Sequence, residues 1–346
     1  MFNLLACGSN GNYQLGLNDD DDKSILLPSL FNHSGKLTTI IPDRPQKIAC
    51  GGNHTLVLLD SGEVYACGSN EYGQCGLPKC DNVKTFSKIP GNNWIDISCG
   101  WEFSVLVNMN KEIYVCGNGL KGELGLGKAV KQSELKYCTT QDNFKIIKSC
   151  MQHTILETTT GELVGWGNCR KGQLGETNEK VFWVPTVLKF DIKVEDFSLG
   201  REFTAIQSGC NDVTVFGKFS VDLENNVLQS RFDISKVETM WSSIHILANN
   251  SIQSCGNNSH DQLYPTSETI NVEEFSIGSE HGLARSGNTV YAWGWSEHGN
   301  CGKSENEKQT FDYLNKLYSG QDKVVLIGTG CATSWVVVET SHSTVE

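Results

Sequence analysis

The chain has 346 residues and 28 Lys and Arg against 40 Asp and Glu, a formal net charge of −12. Such a balance opposes binding along a nucleic-acid backbone, which needs clustered cations against the phosphates. The 35 glycines follow no G-X-Y period, and 9% aromatic residues argue for packed structure, so collagen-like, coiled-coil and disordered classes are excluded.

The first segment, Met1 to Cys7, reads MFNLLAC and ends like a lipoprotein cleavage box. It lacks a basic stretch and an apolar stretch of adequate length, so no signal peptide is expected. No run approaches the 18 apolar residues of a membrane span. The fourteen cysteines are therefore expected as thiols in a cytoplasmic chain, with a nuclear pool also open. No C-x-x-C pair occurs, which opposes a zinc ribbon. The run Asp19 to Lys23, DDDDK, reads as an exposed acidic loop.

A strand-and-loop pattern then recurs along the chain. It reads LLACGSNGNYQLG from Leu4, VYACGSNEYGQCG from Val64, IYVCGNGLKGELG from Ile113 and LVGWGNCRKGQLG from Leu163. Weaker copies are VTVFGK from Val213, IQSCGNNSHDQLY from Ile252 and VYAWGWSEHGNCG from Val290. The shared glycines are Gly8, Gly68, Gly117, Gly167, Gly217, Gly256 and Gly294, at steps of 60, 49, 50, 50, 39 and 38. A second pattern interleaves with it: IACGGNHTLVL from Ile48, ISCGWEFSVLV from Ile97, IKSCMQHTIL from Ile147 and FSLGREFTAI from Phe197. VETMWSSIHIL from Val237, FSIGSEHGLA from Phe275 and IGTGCATSWVV from Ile327 complete the series.

Apolar, β-branched runs joined by turns such as Asp60-Ser61-Gly62 are hairpins. Seven such units in tandem predict an all-β, seven-bladed β-propeller, an arrangement that protects strand edges. The chain opens on the first half-pattern and closes on the second. The strand near Leu4 should therefore pair with Ser334–Val338 and close the ring. A solenoid is the architectural alternative, but it would not need split terminal halves. The expectation is one domain over residues 1–346, with repeats from about 4 to 338.

The motif pair resembles the repeat of the regulator of chromosome condensation family, whose members are seven-bladed propellers. In the last third, MWSSIHIL from Met240, GSEHGL from Gly278, WGWSEHGNCG from Trp293 and GCATSW from Gly330 are similar to the fungal killer-toxin-insensitivity propellers, also called alpha-tubulin suppressors. That resemblance implies a non-enzymatic scaffold paired with a small, acidic CSL-type zinc-finger protein, the electron carrier of diphthamide biosynthesis. It also implies a role in Elongator-dependent modification of tRNA wobble uridines, with Elongator reached indirectly and no direct contact with nucleic acid or membrane. The founding member of the wider family implies a different class, a guanine-nucleotide exchange factor for a small GTPase.

No catalytic constellation, cofactor loop or metal set is expected. Gly117 to Gly122 satisfies G-x-G-x-x-G, but two glycines in the following Glu123–Gly127 oppose the helix that a dinucleotide loop needs. His54, His153 and His281 share one slot, where Phe103, Phe203, Ser243 and Thr333 stand in other repeats, so backbone bonding within each blade is expected rather than a metal ring. Cys7, Cys67, Cys116 and Cys255 read as packed small hydrophobes, while Cys80, Cys138 and Cys169 sit in loops where a reactive thiol is conceivable. The partner-binding candidates are positions that break the repeat: Trp241, His245, Glu280, His281, Trp295, Glu297, His298 and Asn300. A loop Trp flanked by polar groups suits an interface anchor, although packing between blades suits Trp295 and Trp241 as well. Trp101 and Arg201, each after a loop glycine, are further candidates for one face.

Overall fold

Hairpin after hairpin, the repeats fold as the sequence predicts. The computed structural model describes every residue except 42, 92, 268, 305–307 and 341–346. Seven sheets, antiparallel but for one short pair, form a seven-bladed β-propeller. Blades I to IV have inner strands Pro45–Cys50, Trp94–Cys99, Phe144–Cys150 and Asp196–Leu199 around the axis. Those of blades V to VII are Ile234–Thr239, Glu274–Ile277 and Lys323–Thr329.

Second strands such as His54–Leu59 and His153–Thr158 are buried at every residue. Both faces meet a neighbouring blade there, so neither strand alternates exposed with buried positions, and the polar residues of HTLVLL and HTILET are buried with the apolar ones. Outer strands face solvent on one side, and Gln132–Thr140 accordingly mixes exposed and half-buried residues.

Ring closure follows the expected pairing. Phe2–Gly8 lies antiparallel to Thr333–Glu339, with Asn3 opposite Val338 and Cys7 opposite Ser334. Blade VII is thus built from both ends of the described chain. The long first step of 60 residues contains short strands at Phe31–His33, Lys36–Thr38 and Ile40–Ile41. Phe31 pairs in parallel with Phe86 of blade I, while Ile40 and Ile41 pair with Asn3 and Phe2 of blade VII. The insertion therefore clips the closing seam, and Phe31 stacks on Phe86 at 4.7 Å beside the fully buried Trp335.

The seven recurring glycines have one cause. Each has φ between +98° and +137°, and a Cβ at each would lie 2.1–2.7 Å from a backbone carbonyl of the adjacent turn. At Gly68 the obstacle is Asn53 O at 2.4 Å. That carbonyl accepts the N–H of the next residue, Ser69, at 2.8 Å, so the close approach carries a hydrogen bond.

The rest of the loop motif joins blades. Asn70 Oδ1 accepts the Cys75 N–H and Gln74 Oε1 accepts the Tyr72 N–H, closing the loop on itself. The Gln74 carbonyl then accepts the Ser104 hydroxyl of blade II at 2.7 Å. The same reach recurs from Gln14 to Thr55 and from Gln173 to Thr204. Gly117–Gly122 belongs to this loop in blade II and opens no helix.

Candidate partner-docking face

His54 pairs with Gly68, so the turn before each second strand and the loop after each third strand emerge on one face of the ring. Two residues ahead of the histidine slot, the seven blades place Gly52, Trp101, Met151, Arg201, Trp241, Ser279 and Cys331 around the axial mouth. Backbone bonds tie several of these positions to the next blade's. The Gly52 N–H donates to Trp101 O at 2.9 Å, Trp101 to Met151 at 2.8 Å, Arg201 to Trp241 at 3.2 Å and Trp241 to Ser279 at 3.0 Å.

The Trp101 and Trp241 rings, from blades II and V, meet at 5.8 Å between centroids. Arg201, exposed, lies over Trp241 at 5.9 Å from the ring centre, in cation–π range. Glycine at position 52 makes room for this group, since a Cβ there would lie 2.8 Å from the Trp101 indole. Beneath is an axial cavity of about 280 Å³ whose lining includes Cys50, Cys150, Met151 and Cys331. Burial pushes the Cys50 and Cys150 thiols up to about 12, so both are neutral at physiological pH.

Charges deeper in the channel serve the seams. Lys47 pairs with Asp96 at 2.6 Å, and Asp96 also accepts the Ile147 N–H of blade III. Lys148 pairs with Asp196 at 2.9 Å, which accepts the Val237 N–H, and Glu238 accepts the Ile277 N–H at 2.8 Å. These carboxylates are committed to neighbouring strands. Among the described residues, no three His, Cys, Asp or Glu side chains are arranged to hold a metal ion. The mouth therefore offers an aromatic and cationic surface suited to packing.

The predicted candidates divide into three groups. Trp241 and Glu280 come to the mouth. Glu280, beside the Ser279 position, accepts from Gln262 Nε2 at 2.7 Å and Ser242 Oγ at 3.2 Å, and burial raises its carboxyl above the usual range. Trp295, Glu297 and His298 lie farther out on the same face. Trp295 ends its strand and stacks on His260 of blade V at 4.2 Å, which makes it a seam contact with a partly open face. Glu297 is exposed, and His298 Nδ1 meets Asp22 Oδ2 of blade VII at 2.7 Å.

His245, His281 and Asn300 lie inside. His245 and Asn300 have no exposed surface and His281 has 1%, so a docking partner on this face would not touch them. The three slot histidines also differ from the expectation of backbone bonding within a blade. His54 Nε2 meets Ser104 Oγ at 2.8 Å and His281 Nε2 meets Ser334 Oγ at 3.0 Å, both across a seam, while neither ring nitrogen of His153 has a hydrogen-bond partner among the described residues. Burial pushes His54, His153 and His281 down to about 4 and His245 to about 3, so all four are neutral at pH 7. Of the three cysteines expected in loops, Cys169 is buried, and Cys138 lies instead in the outer strand Gln132–Thr140, where burial pushes its thiol up to about 12; both placements oppose reactivity. Cys80 is exposed. Met151 was not singled out from sequence. Its signal was available: it occupies the slot that holds Trp or Arg in blades II, IV and V.

This is a propeller whose loop face carries one aromatic-cationic centre at the axis. The chain belongs to the regulator of chromosome condensation (RCC1) repeat family. Two descriptions of that repeat match, over residues 46–74 and over residues 3–58 and 61–107. The RCC1 repeat-containing protein C10F6.04 of Schizosaccharomyces pombe is 31% identical across 98% of this chain and 99% of its own length. The secretion-regulating guanine nucleotide exchange factor of Mus musculus is 24% identical over 97% of this chain and 72% of its length. Among solved structures, human WBSCR16 superposes with a TM-score of 0.81 at 14% identity, covering 98% of this chain and 100% of that one. Yeast RCC1 (Prp20), bound to Kap60, also gives 0.81, at 18% identity over 98% and 89%.

Proposed function

We propose that this propeller is a non-enzymatic docking protein whose loop face binds a small CSL-type zinc-finger protein, in support of diphthamide formation and Elongator-dependent modification of wobble uridines. The observation that carries docking at this face is the convergence of Trp101, Trp241 and Arg201 on one exposed mouth. Aromatic residues and Arg are the residue types that dominate interface energetics, and here they sit inside a polar rim. The choice of partner rests on the resemblance of the last third of the sequence. An acidic partner needs a locally apolar or basic patch on a chain of net charge −12, and the mouth supplies one. The activity belongs in the cytoplasm, with a nuclear pool, where its thiols stay reduced.

Titration calorimetry with a recombinant zinc-loaded CSL-type protein tests this reading. Trp241→Ala and Arg201→Ala should each weaken binding by about tenfold or more, equivalent to about 1.4 kcal/mol, without lowering the unfolding midpoint. Undiminished binding in both variants would remove the mouth from the interface, and no binding to the wild type would remove the partner.

A second reading is exchange of guanine nucleotide on a small GTPase, favoured by likeness to the mouse exchange factor along nearly the whole chain. Release of a fluorescent guanine nucleotide from candidate GTPases, accelerated by this chain and lost with Arg201→Ala, would put that reading first.

A further inference from the structure

Blade V is incomplete. It consists of Ile234–Thr239, Ser243–Ala248 and Ser251–Gly256, and among the described residues no strand pairs with the outer edge of the last. The other six blades each have a strand in that position. In blade I the equivalent edge is filled: the Val64 carbonyl accepts the Ile89 N–H and Ala66 pairs with Ser87. Backbone groups alternate in direction along a strand, so residues 64 and 66 face outward. Their counterparts in blade V are Ile252 and Ser254.

The chain does pass this edge again, but at a distance. The Tyr264 N–H donates to the Ser254 hydroxyl at 2.9 Å, a side-chain bond in place of a ladder bond. Between them is a groove of about 340 Å³, lined by Ser254, Asn258, Leu263 and Tyr264 and by the carboxylates of Asp261 and Asp312. Among the described residues, no Lys or Arg lines it. The edge strand itself, SIQSCG, carries neither the charges nor the proline by which exposed edges are normally blunted.

We propose that blade V accepts an extended, Lys- or Arg-bearing segment of a partner protein as its missing fourth strand. Main-chain bonds to the edge at Ser254 would supply affinity, and Asp261 and Asp312 would select cationic side chains on the segment's outer positions. A second copy of this chain fits less well, because pairing edge to edge would oppose two acidic grooves. The site is lateral and stands independently of the axial mouth.

The test uses the full chain and a labelled peptide of about eight alternating Lys and Val residues, with a Glu–Val peptide as counter-probe. The Lys–Val peptide should bind, lose affinity with added salt, and slow amide hydrogen exchange in Ser251–Gly256. Asp261→Asn with Asp312→Asn should weaken it by about tenfold or more, and Asn tolerates the φ of +58° at position 261. Ser254→Pro removes an outward-facing donor and should abolish protection in that strand. Equal binding of the Glu–Val peptide, or binding indifferent to the carboxylate pair, would overturn the proposal. So would a concentration-dependent dimer that Ser254→Pro dissolves while neither peptide binds.

Discussion

Blades I and V are built from the same repeat and diverge at nearly every optional feature. Blade I has its four strands plus two from the insertion, whereas blade V has three among the described residues. In blade I the slot histidine reaches the Ser104 hydroxyl of blade II. In blade V a serine, Ser243, holds the slot, and His245 has moved two residues along the strand. A shift of two keeps the side chain on the same face, and His245 Nε2 bonds Ser243 Oγ at 3.0 Å within its own blade. The loop wiring nevertheless survives in both. Asn258 Oδ1 accepts the Leu263 N–H and the Gln262 carbonyl accepts Trp293 Nε1 of blade VI, as Asn70 and Gln74 do for Cys75 and Ser104. Blade V has lost its outer strand, which touches solvent, and has kept the loop that bonds the next blade.

Acid should strain this comparison most. The folded values near 4 and 3 for the four buried histidines lie below the unfolded value near 6.5, so the unfolded chain binds more protons between them. Their contribution is complete above about pH 6.5 and is lost as pH falls toward 4. Each proton steepens the loss by up to about 1.4 kcal/mol per pH unit. Urea unfolding at a series of pH values should show it, and His54→Phe, which copies Phe103 of blade II, should flatten the slope by one proton.

Removing the fully buried Trp335 at the closing seam should come next. Trp335→Ala should cost about 3–5 kcal/mol in urea unfolding, because neither Phe86 nor the insertion can fill the vacated volume. Gly68→Ala in blade I, with its Cβ forced to 2.4 Å from a carbonyl at φ +104°, should cost about 3 kcal/mol. Gly256→Ala, equally crowded at 2.5 Å, should cost the same if the loop serves blades I and V alike. A much smaller loss in blade V would break the comparison.

Ser104→Ala should be milder, about 1–2 kcal/mol, since it leaves the buried His54 ring without its partner. Combined with His54→Phe, only part of that loss should return, because the imidazole is no longer orphaned but the Gln74 carbonyl still lacks the Ser104 hydroxyl. The smallest effect on stability is expected of Gly52→Ala, under about 1 kcal/mol, with the Trp101 ring displaced and its fluorescence shifted.

Much of this was legible in the sequence. The glycine series, the ring closed through Ser334–Val338 and the rejection of the Gly117–Gly122 loop all follow from local chemistry repeated along the chain. A positive φ and a close carbonyl demand glycine wherever they occur, so the pattern survives in one-dimensional form. The insertion at Phe31–Ile41 left no repeat signal, and its parallel bond to Phe86 joins residues that nothing local connects.

The candidate site divides along the same line. Trp241 was legible as a break in the repeat, and the slot following each loop glycine already pointed to Trp101 and Arg201. That His245, His281 and Asn300 lie inside while Trp101 and Trp241 touch was settled only by tertiary structure. The two indoles are 140 positions apart and come from blades II and V. Sequence determines which residue occupies each slot of a blade; the number of blades and the radius of the ring decide which slots meet across the axis.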